Sequence, residues 1–449
     1  MTDAPVEVEK LGIEHVPEDK RHGSPGRVFT LWFAANLTIA DYVIGVLTTV
    51  IFGVPLAQAI PILAVGNILG GIFVGLAAAM GPELGFPQMV ASRASFGLRG
   101  NYLFGALNWV STVGWFTVNT ILAVVALRVM LPDFNFAVAA AGYVVIQTAI
   151  AVYGHDFIHA FEKVMSVILG VLFVVIFALS VPRLGEAFAG SAVGVSQASV
   201  PLGTVGLVLV VSFSYLMSWS PYASDYSRYL PASSSKRKVF LFALVGGAFS
   251  SFAIETIGAI VGSLNPSHSI PFFYFDGLNT FAGALGPVAM ITLILGAFAA
   301  DALNLYTNSL SALVLGVKAA RWKTVAAGGA AGFVIAVYVG TGFEAFFENF
   351  LLALTYWITP WLGIVLVDFF VVKRTVVDEV IEGRHFDFPA LGVYLVSILI
   401  SVPFMVPLLQ YGPPVGILSG VFGGADLSYF VSFGVAAVLT LVLRSFRKG

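Results

Sequence analysis

LWFAANLTIADYVIGVL, Leu31–Leu47, begins as a membrane span and then sets Asn36, Thr38 and Asp41 where hydrocarbon is expected. A second stretch, SWSPYASDYSRYLP at Ser218–Pro231, does the same with Trp219, Pro221 and Asp225. Backbone freed at membrane depth is tolerated only inside protein or beside a watery cavity. A broken helix in each half of a many-span protein points to a transporter binding site.

The surrounding chain supports a membrane reading. Of its 449 residues 58% are hydrophobic and 10% charged, with a mean hydropathy of +0.94. A soluble chain carries about 25% charged residues, so this is an all-α polytopic membrane protein. Residues 1–27 are polar and lack the apolar start of a signal peptide, so they read as a cytoplasmic tail. The absence of cysteine excludes disulfides and thiolate metal ligands. No P-loop, Gly-x-Ser-x-Gly elbow or paired catalytic carboxylates is present. Nothing argues for an enzyme, a cofactor, ATP drive or a nucleic-acid partner, and oligomeric state is not legible.

A span needs about 20 apolar residues. That gives twelve, at 28–53, 57–80, 102–131, 135–154, 164–182, 203–224, 238–263, 285–316, 324–341, 346–372, 389–409 and 428–444. With the N-terminus inside, only Arg128 and Arg183 of the 22 Lys and Arg fall outside. This asymmetry predicts a multi-pass protein of the cell (inner) membrane with both termini cytoplasmic. The broken spans are the first and sixth, and the polar-bearing long spans the third and eighth. An offset of five predicts two inverted five-helix halves, 28–182 and 203–372, with 389–444 appended. Ile270–Ala282 is too short to span and reads as an interfacial segment.

Asp41 is a mid-span carboxylate and hence a functional candidate, as proton carrier, counter-ion or ligand acceptor. Asp301, Asn304 and Asn308 share a helical face, either as a ligand-facing strip or as inter-helix glue. Trp115 and Asn119 form an i, i+4 pair suited to stacking on a flat heterocycle and reading its edge, or to ordinary core packing. Trp219 sits just before Pro221, where the helix loses a backbone bond. Asn36 and Thr38 are possible substrate or gating residues. Asp225 and Arg228, i and i+3, read as a structural or gating pair. Glu255 reads as a buried acid, protonated or paired, with a coupling role as the alternative. His155, Asp156, His159 and Glu162 have spacing that could hold a metal but read as a solvated loop between spans four and five, so no metal site is expected. Gly66, Gly70, Gly71 and Gly75 have the spacing of close helix packing.

The tail GIEHVPEDKRHGSPGRVFTLWFAAN, with GWFTVN, WSPYASDYSRYLP and NLYTNSLS, resembles the nucleobase:cation symporter-1 family, purine-cytosine permease branch. The resemblance runs from about Gly12 to the tenth span. It implies a LeuT-type fold of 12 transmembrane helices and import of a small heterocycle across the lipid bilayer. Trp115 and Trp219 match the aromatics that sandwich the substrate, and Asn119 and Asn304 the amides that bond its edge. Two departures bear on coupling. Ala297–Ala300 lacks the hydroxyls that sodium-coupled relatives carry before the Asn304 position. Asp41 and Asp301 stand where hydroxyl and amide residues are expected. The expectation is a secondary importer of cytosine or a purine coupled to H⁺. Na⁺ coupling, or transport of allantoin, hydantoin, uracil or a vitamin, remains open, and a channel or a sensor is a more distant alternative.

Overall fold

The computed structural model describes residues 9, 11–189, 200–264, 273–406 and 415–446, which are helical with no strand among them. The first span is two helices, α1 (Gly26–Ala35) and α2 (Ile39–Val50), bent by 56° at the break. Thr38 is extended and caps α2, its Oγ1 accepting from the Asp41 amide at 3.3 Å. A hydroxyl there satisfies a donor that the helix start leaves unpaired. Asn36 closes α1, its Nδ2 donating back to the Trp32 carbonyl at 2.7 Å.

Four helices follow: α3 (Leu56–Leu84), α4 (Tyr102–Met130), α5 (Phe136–Tyr153) and α6 (His155–Ser180). The sixth span is α7 (Leu202–Met217), a 3₁₀ turn at Ser220–Tyr222 and the short α8 (Ala223–Ser227). Then come α9 (Lys236–Leu264), α10 (Phe273–Ala282), α11 (Gly286–Val314), α12 (Arg321–Val339) and α13 (Phe343–Leu366). A π turn at Val367–Val371 ends α13, and α14 (Phe388–Ser401) and α15 (Ser428–Ser445) complete the chain.

Among the described residues ten helices are long and apolar enough to cross a membrane, eleven with the bent pair, while Phe388–Phe404 is shorter. Each of the twelve sequence spans has a helical counterpart. Two details differ from the sequence reading. The second break is milder than the first, because Leu202–Ser227 runs on as one span. Pro221 lies in the first turn of the 3₁₀ segment, where its missing N–H removes little. The loop expected between spans four and five does not exist. Gly154 alone joins α5 to α6, at φ 89°, a conformation that favours glycine. Of the segment Ile270–Ala282, Phe273–Ala282 is the ten-residue α10, and 270–272 lie outside the described residues.

Helix α3 lies between α7 and α9. Side chains at Gly66 and Gly70 would meet Ser212 and the Phe213 backbone, and at Gly71 and Gly75 would meet Leu244 and Phe240. The four glycines therefore allow close packing on two neighbours, as their spacing suggested. Gly296 of α11 sits against the Leu37 carbonyl, where no Cβ would fit, so α11 is in direct contact with the first break.

At one end of the bundle the N-terminal tail straps several spans together. The Val16 amide donates to the Gly85 carbonyl at 2.9 Å, and Arg21 Nη1 to the Pro82 carbonyl at 2.6 Å. The His22 amide donates to the Tyr229 carbonyl at 2.6 Å. At the same end Arg444 of α15 forms a two-pronged bond with Asp368, both arms 2.8 Å, and reaches Asp387 at 3.0 Å. These bonds fasten α15 to the end of α13 and the start of α14.

Candidate substrate site

The two breaks, α4 and α11 bring most of the sequence-predicted residues into one buried cluster. Asp301 is its hub. Its Oδ1 accepts from Asn119 Nδ2 at 2.9 Å and Asn304 Nδ2 at 3.1 Å, and its Oδ2 from the Tyr143 hydroxyl at 3.0 Å. Both amide NH₂ groups are thus committed to one carboxylate, which fixes their orientation. Asn304 Oδ1 in turn accepts from the Tyr222 hydroxyl at 3.2 Å. Asn119 Oδ1 has no hydrogen-bond partner among the described residues, nor has the Trp115 Nε1 donor. A buried polar group without a partner costs about 1–3 kcal/mol, so an unpaired acceptor and an unpaired donor on one face of α4 mark places for a ligand's complementary groups.

The aromatics surround this hub. Trp115 meets Tyr215 and Phe350 edge-on, each with ring centroids 5.2 Å apart. Tyr215 bonds Thr38 Oγ1 at 2.7 Å, connecting α4 to the first break through α7. Trp219 meets Trp32 and Tyr222, both at 5.3 Å. Trp115, Asn119, Trp219 and Asn304 are all at most 4% exposed, so the arrangement is occluded from both sides. Tyr143, Tyr215 and Tyr222 were missed by the sequence reading. Tyr143 and Gln147, i and i+4, were legible as a polar pair in an apolar span, and Gln147 Nε2 lies 3.3 Å from the Tyr143 oxygen.

Asp41 occupies a separate buried spot. Neither of its oxygens has a hydrogen-bond partner among the described residues, and Ser251 and Glu255 of α9 lie beside it. Glu255 Oε2 accepts from Asn67 Nδ2 at 2.6 Å and Ser212 Oγ at 2.9 Å. Two carboxyl groups, one of them unsatisfied, therefore share an interior bounded by α2, α3, α7 and α9, and Glu255 is the paired acid the sequence suggested.

With this geometry in place, a family profile described as permease for cytosine/purines, uracil, thiamine, allantoin matches residues 15–432. The chain belongs to this family. It is 28% identical to the putative purine-cytosine permease YxlA of Bacillus subtilis (strain 168), over 98% of this chain and 96% of that protein. It is 28% identical to the purine-cytosine permease FCY2 of Saccharomyces cerevisiae, over 98% of this chain and 86% of that one. Among solved structures it resembles Mhp1, a nucleobase-cation-symport-1 family transporter in a closed conformation with bromovinylhydantoin bound. The TM-score is 0.78 at 17% identity, covering 99% of this chain and 95% of that one. A Na⁺-coupled sialic acid symporter is more distant, with TM-score 0.56 at 14% identity over 93% and 95% of the chains. The fold of this family member is therefore the LeuT-type all-helical bundle.

Other candidates fall outside the cluster. Asn308 donates to the Trp109 carbonyl at 3.1 Å and Thr112 Oγ1 at 2.9 Å, so it ties α11 to α4 and leaves the strip it shares with Asp301 and Asn304. Asp225 and Arg228 take different partners. Asp225 accepts from the Gln88 amide and Thr307 Oγ1, both at 2.8 Å. Arg228 is paired with Glu9 of the tail at 3.6 Å and donates to the Gly12 carbonyl at 2.9 Å and the Tyr306 hydroxyl at 3.1 Å. Glu9 also accepts from the Tyr229 hydroxyl, from the Tyr306 hydroxyl at 3.0 Å and from the His155 amide at 2.9 Å. One tail carboxylate thus joins α6, α11 and the end of the sixth span.

His155, Asp156, His159 and Glu162 are in the first turns of α6, not in a solvated loop, and all but Asp156 are buried. Asp156 Oδ1 lies 2.8 Å from His22 Nε2 and 3.2 Å from His155 Nδ1, and the three ligand-type atoms lie within 4.8 Å of one another. The other nitrogens face carbonyls, His22 Nδ1 that of Lys20 at 2.9 Å and His155 Nε2 that of Tyr226 at 3.3 Å. Each ring nitrogen of His22 and His155 faces an oxygen that can accept a hydrogen bond. The hydrogen bond to Asp156 holds the His22 imidazole above its usual range, against the effect of its partial burial.

Proposed function

We propose that this chain is a secondary active importer of a nucleobase, of the cytosine or purine class, coupled to protons. The observation that carries the reading is the Asp301 hub. It presents an oriented amide edge, Asn119 and Asn304, within a ring of aromatics that includes Trp115 and Trp219. The names of the relatives support the substrate class. Relatives of the type of YxlA and FCY2 are named purine-cytosine permeases.

In the proposed cycle the ring enters from outside between the first, third, sixth and eighth spans. Trp115 and Trp219 stack on its faces, contributing about 0.5–1.5 kcal/mol per aromatic pair beyond area burial. Asn119 Oδ1 accepts a ring or exocyclic N–H. The proton binds at Asp41, beside Glu255. Sodium is disfavoured by the site's chemistry, since Ala297, Ala299 and Ala300 supply no side-chain oxygen and Gly296 is pressed against Leu37. One helix bundle, drawn from both halves 28–182 and 203–372, rocks against the other, 389–444 are accessory, and both termini are cytoplasmic in the inner membrane. Asn36 and Thr38 at the first break and Asp225 and Arg228 at the tail end serve the gates.

The test is thermal shift of the purified protein with cytosine, adenine, hypoxanthine, uracil, allantoin, hydantoin, thiamine and pyridoxine. Each is measured at mildly acid and mildly alkaline pH, with and without Na⁺. A cytosine or purine hit that strengthens in acid and ignores Na⁺ is expected. A hit confined to the other ligands, or one that requires Na⁺, overturns the substrate or the coupling assignment respectively.

A further inference from the structure

We infer that the seam between α1 and α6 is a binding site for one anionic phospholipid, with its headgroup at Arg27 and Lys163 and an acyl chain in the apolar cavity below them. Two cavities on this seam carry the inference. The upper one, at the tail end of the bundle, has a volume of about 1000 Å³ and is lined by Arg27, Thr30 and Lys163 together with Val164, Val167 and Ile168. The lower one, about 370 Å³, is lined almost entirely by apolar side chains, among them Phe33, Gly170, Phe173 and Phe177. Both use α1 and α6, and α9 closes the lower one through Phe249, Phe252 and Ile257.

The spacing fits a phospholipid. Gly170 lies seven residues below Lys163 and Phe177 fourteen, about 10 and 21 Å at a 1.5 Å rise. One leaflet of hydrocarbon is about 15 Å deep, so the upper part of the lower cavity, at Gly170 and Phe173, lies at acyl-chain depth. Between the two, Val164, Val167, Val171 and Val174 are each more than half exposed at i, i+3, i+7 and i+10. That is a lipid-facing stripe, and it leads from Lys163 down into the lower cavity. A Cβ at Gly170 would just touch the Phe33 ring, at 3.4 Å, so a larger side chain there would enter the seam.

The charge fits an anion. Arg27 and Lys163 are exposed, and neither guanidinium nor ammonium has an ion pair among the described residues. The acid on the wall, Asp156, has its Oδ1 engaged by His22 and His155. Basic pockets between spans bind anionic lipid headgroups, each cation contributing about fivefold in affinity. A zwitterionic lipid offers the same phosphate with a compensating cation, so it would gain little here. The occupant would brace the first half of the broken span. The neighbouring Trp32 on α1 packs on Trp219 at 5.3 Å and Tyr226 at 6.0 Å.

The test uses the full-length protein, stripped of lipid in detergent. Native mass spectrometry and thermal unfolding are read with phosphatidylglycerol, phosphatidylcholine and inorganic phosphate. Phosphatidylglycerol is expected to be retained and to raise the melting temperature, and the other two are not. Arg27→Gln with Lys163→Gln should weaken phosphatidylglycerol by about 25-fold. Gly170→Leu, which fills the lower cavity without touching charge, should weaken it as well. Arg237→Gln with Lys238→Gln, the same charge change elsewhere on the same rim, should not. Equal stabilisation by phosphate or phosphatidylcholine overturns the inference, and so does an equal loss in the control pair or full retention in Gly170→Leu. If the double variant does not fold, Lys163→Gln alone is read on the same scale, with about a fivefold loss expected.

Discussion

Replacing Asp301 in two ways separates positioning from direct chemistry. The carboxylate accepts from Asn119, Asn304 and Tyr143 at 2.9, 3.1 and 3.0 Å, inside a fully buried site. Asp301→Ala leaves three buried donors unpaired, about 1–3 kcal/mol each. Measured polar contacts between membrane helices average nearer 0.6 kcal/mol. Even the low figure gives about 2 kcal/mol for the three together, roughly a 30-fold loss of affinity if the amides must be oriented before ligand arrives. Asp301→Asn is different. Its oxygen can keep both amides, and its NH₂ can donate to Tyr143, whose hydroxyl accepts as readily as it donates. Only charge assistance is lost, about 1 kcal/mol, which is within tenfold. The assay is isothermal titration of the nucleobase hit into both purified variants, with melting curves as the folding control. If Asp301→Asn loses binding as completely as Asp301→Ala, the negative charge itself meets the ligand or a cation and the positioning argument fails. If Asp301→Ala binds as tightly as the parent, the hub is not part of the site.

Three further outcomes follow from the geometry. Glu9→Ala removes the acceptor shared by Arg228, Tyr229, Tyr306 and the His155 amide. It should destabilise the docked tail by about 2–3 kcal/mol, seen as faster hydrogen exchange over residues 11–25. The His22 imidazole is held above its usual range by Asp156, so its contribution to docking is complete below the unfolded value of about 6.5 and fades as pH rises through the folded value. Hydrogen exchange in the tail, corrected for intrinsic rates, should therefore accelerate with alkalinity, and Asp156→Asn should flatten that dependence. A side chain at Gly258 would collide with the Tyr42 backbone, whereas one at Gly434 meets nothing within 4 Å. Gly258→Val should lower stability by about 1–3 kcal/mol or more, and Gly434→Ala, in the interior of α15, should raise the melting temperature slightly.

The spans were legible because hydrocarbon enforces a length and a composition, and the first break because Asn36, Thr38 and Asp41 defy both. The start of α6 was not. His155, Asp156, His159 and Glu162 read as solvated because polar residues usually are, whereas His155 meets the distant tail at Glu9 and, with His159, the Tyr226 carbonyl, contacts that no periodicity announces. The same cause split the Asp225–Arg228 pair. Their i, i+3 spacing is correct on α8, yet Glu9 claims the guanidinium and Gln88 and Thr307 claim the carboxylate. Trp115, Asn119, Trp219 and Asn304 were found as types at positions. That both amides donate to one acid was not readable, because it depends on the mutual rotation of α4 and α11, which spacing along either helix does not fix.

The two intramembrane acids singled out in the sequence are not equivalent, and their surroundings divide the work between them. Asp301 is saturated. Three donors on α4, α5 and α11 hold it, and loading or unloading a proton there would disturb the two amides proposed to read the ligand's edge. Asp41 is the opposite case. It is buried, both oxygens lack a partner, and a second acid stands beside it, itself held by Asn67 and Ser212. It lies in the first turn of α2, where a negative charge is favoured by the helix dipole, and its backbone amide is capped by Thr38 at the break. Any change in the bend between α1 and α2 alters what Asp41 sees, while Asp301 rides on an unbroken helix. On this reading the first broken span carries the ion, while the ligand meets α4, α11 and the second break at Trp219. The contact between them, Gly296 against Leu37, is where one would feel the other.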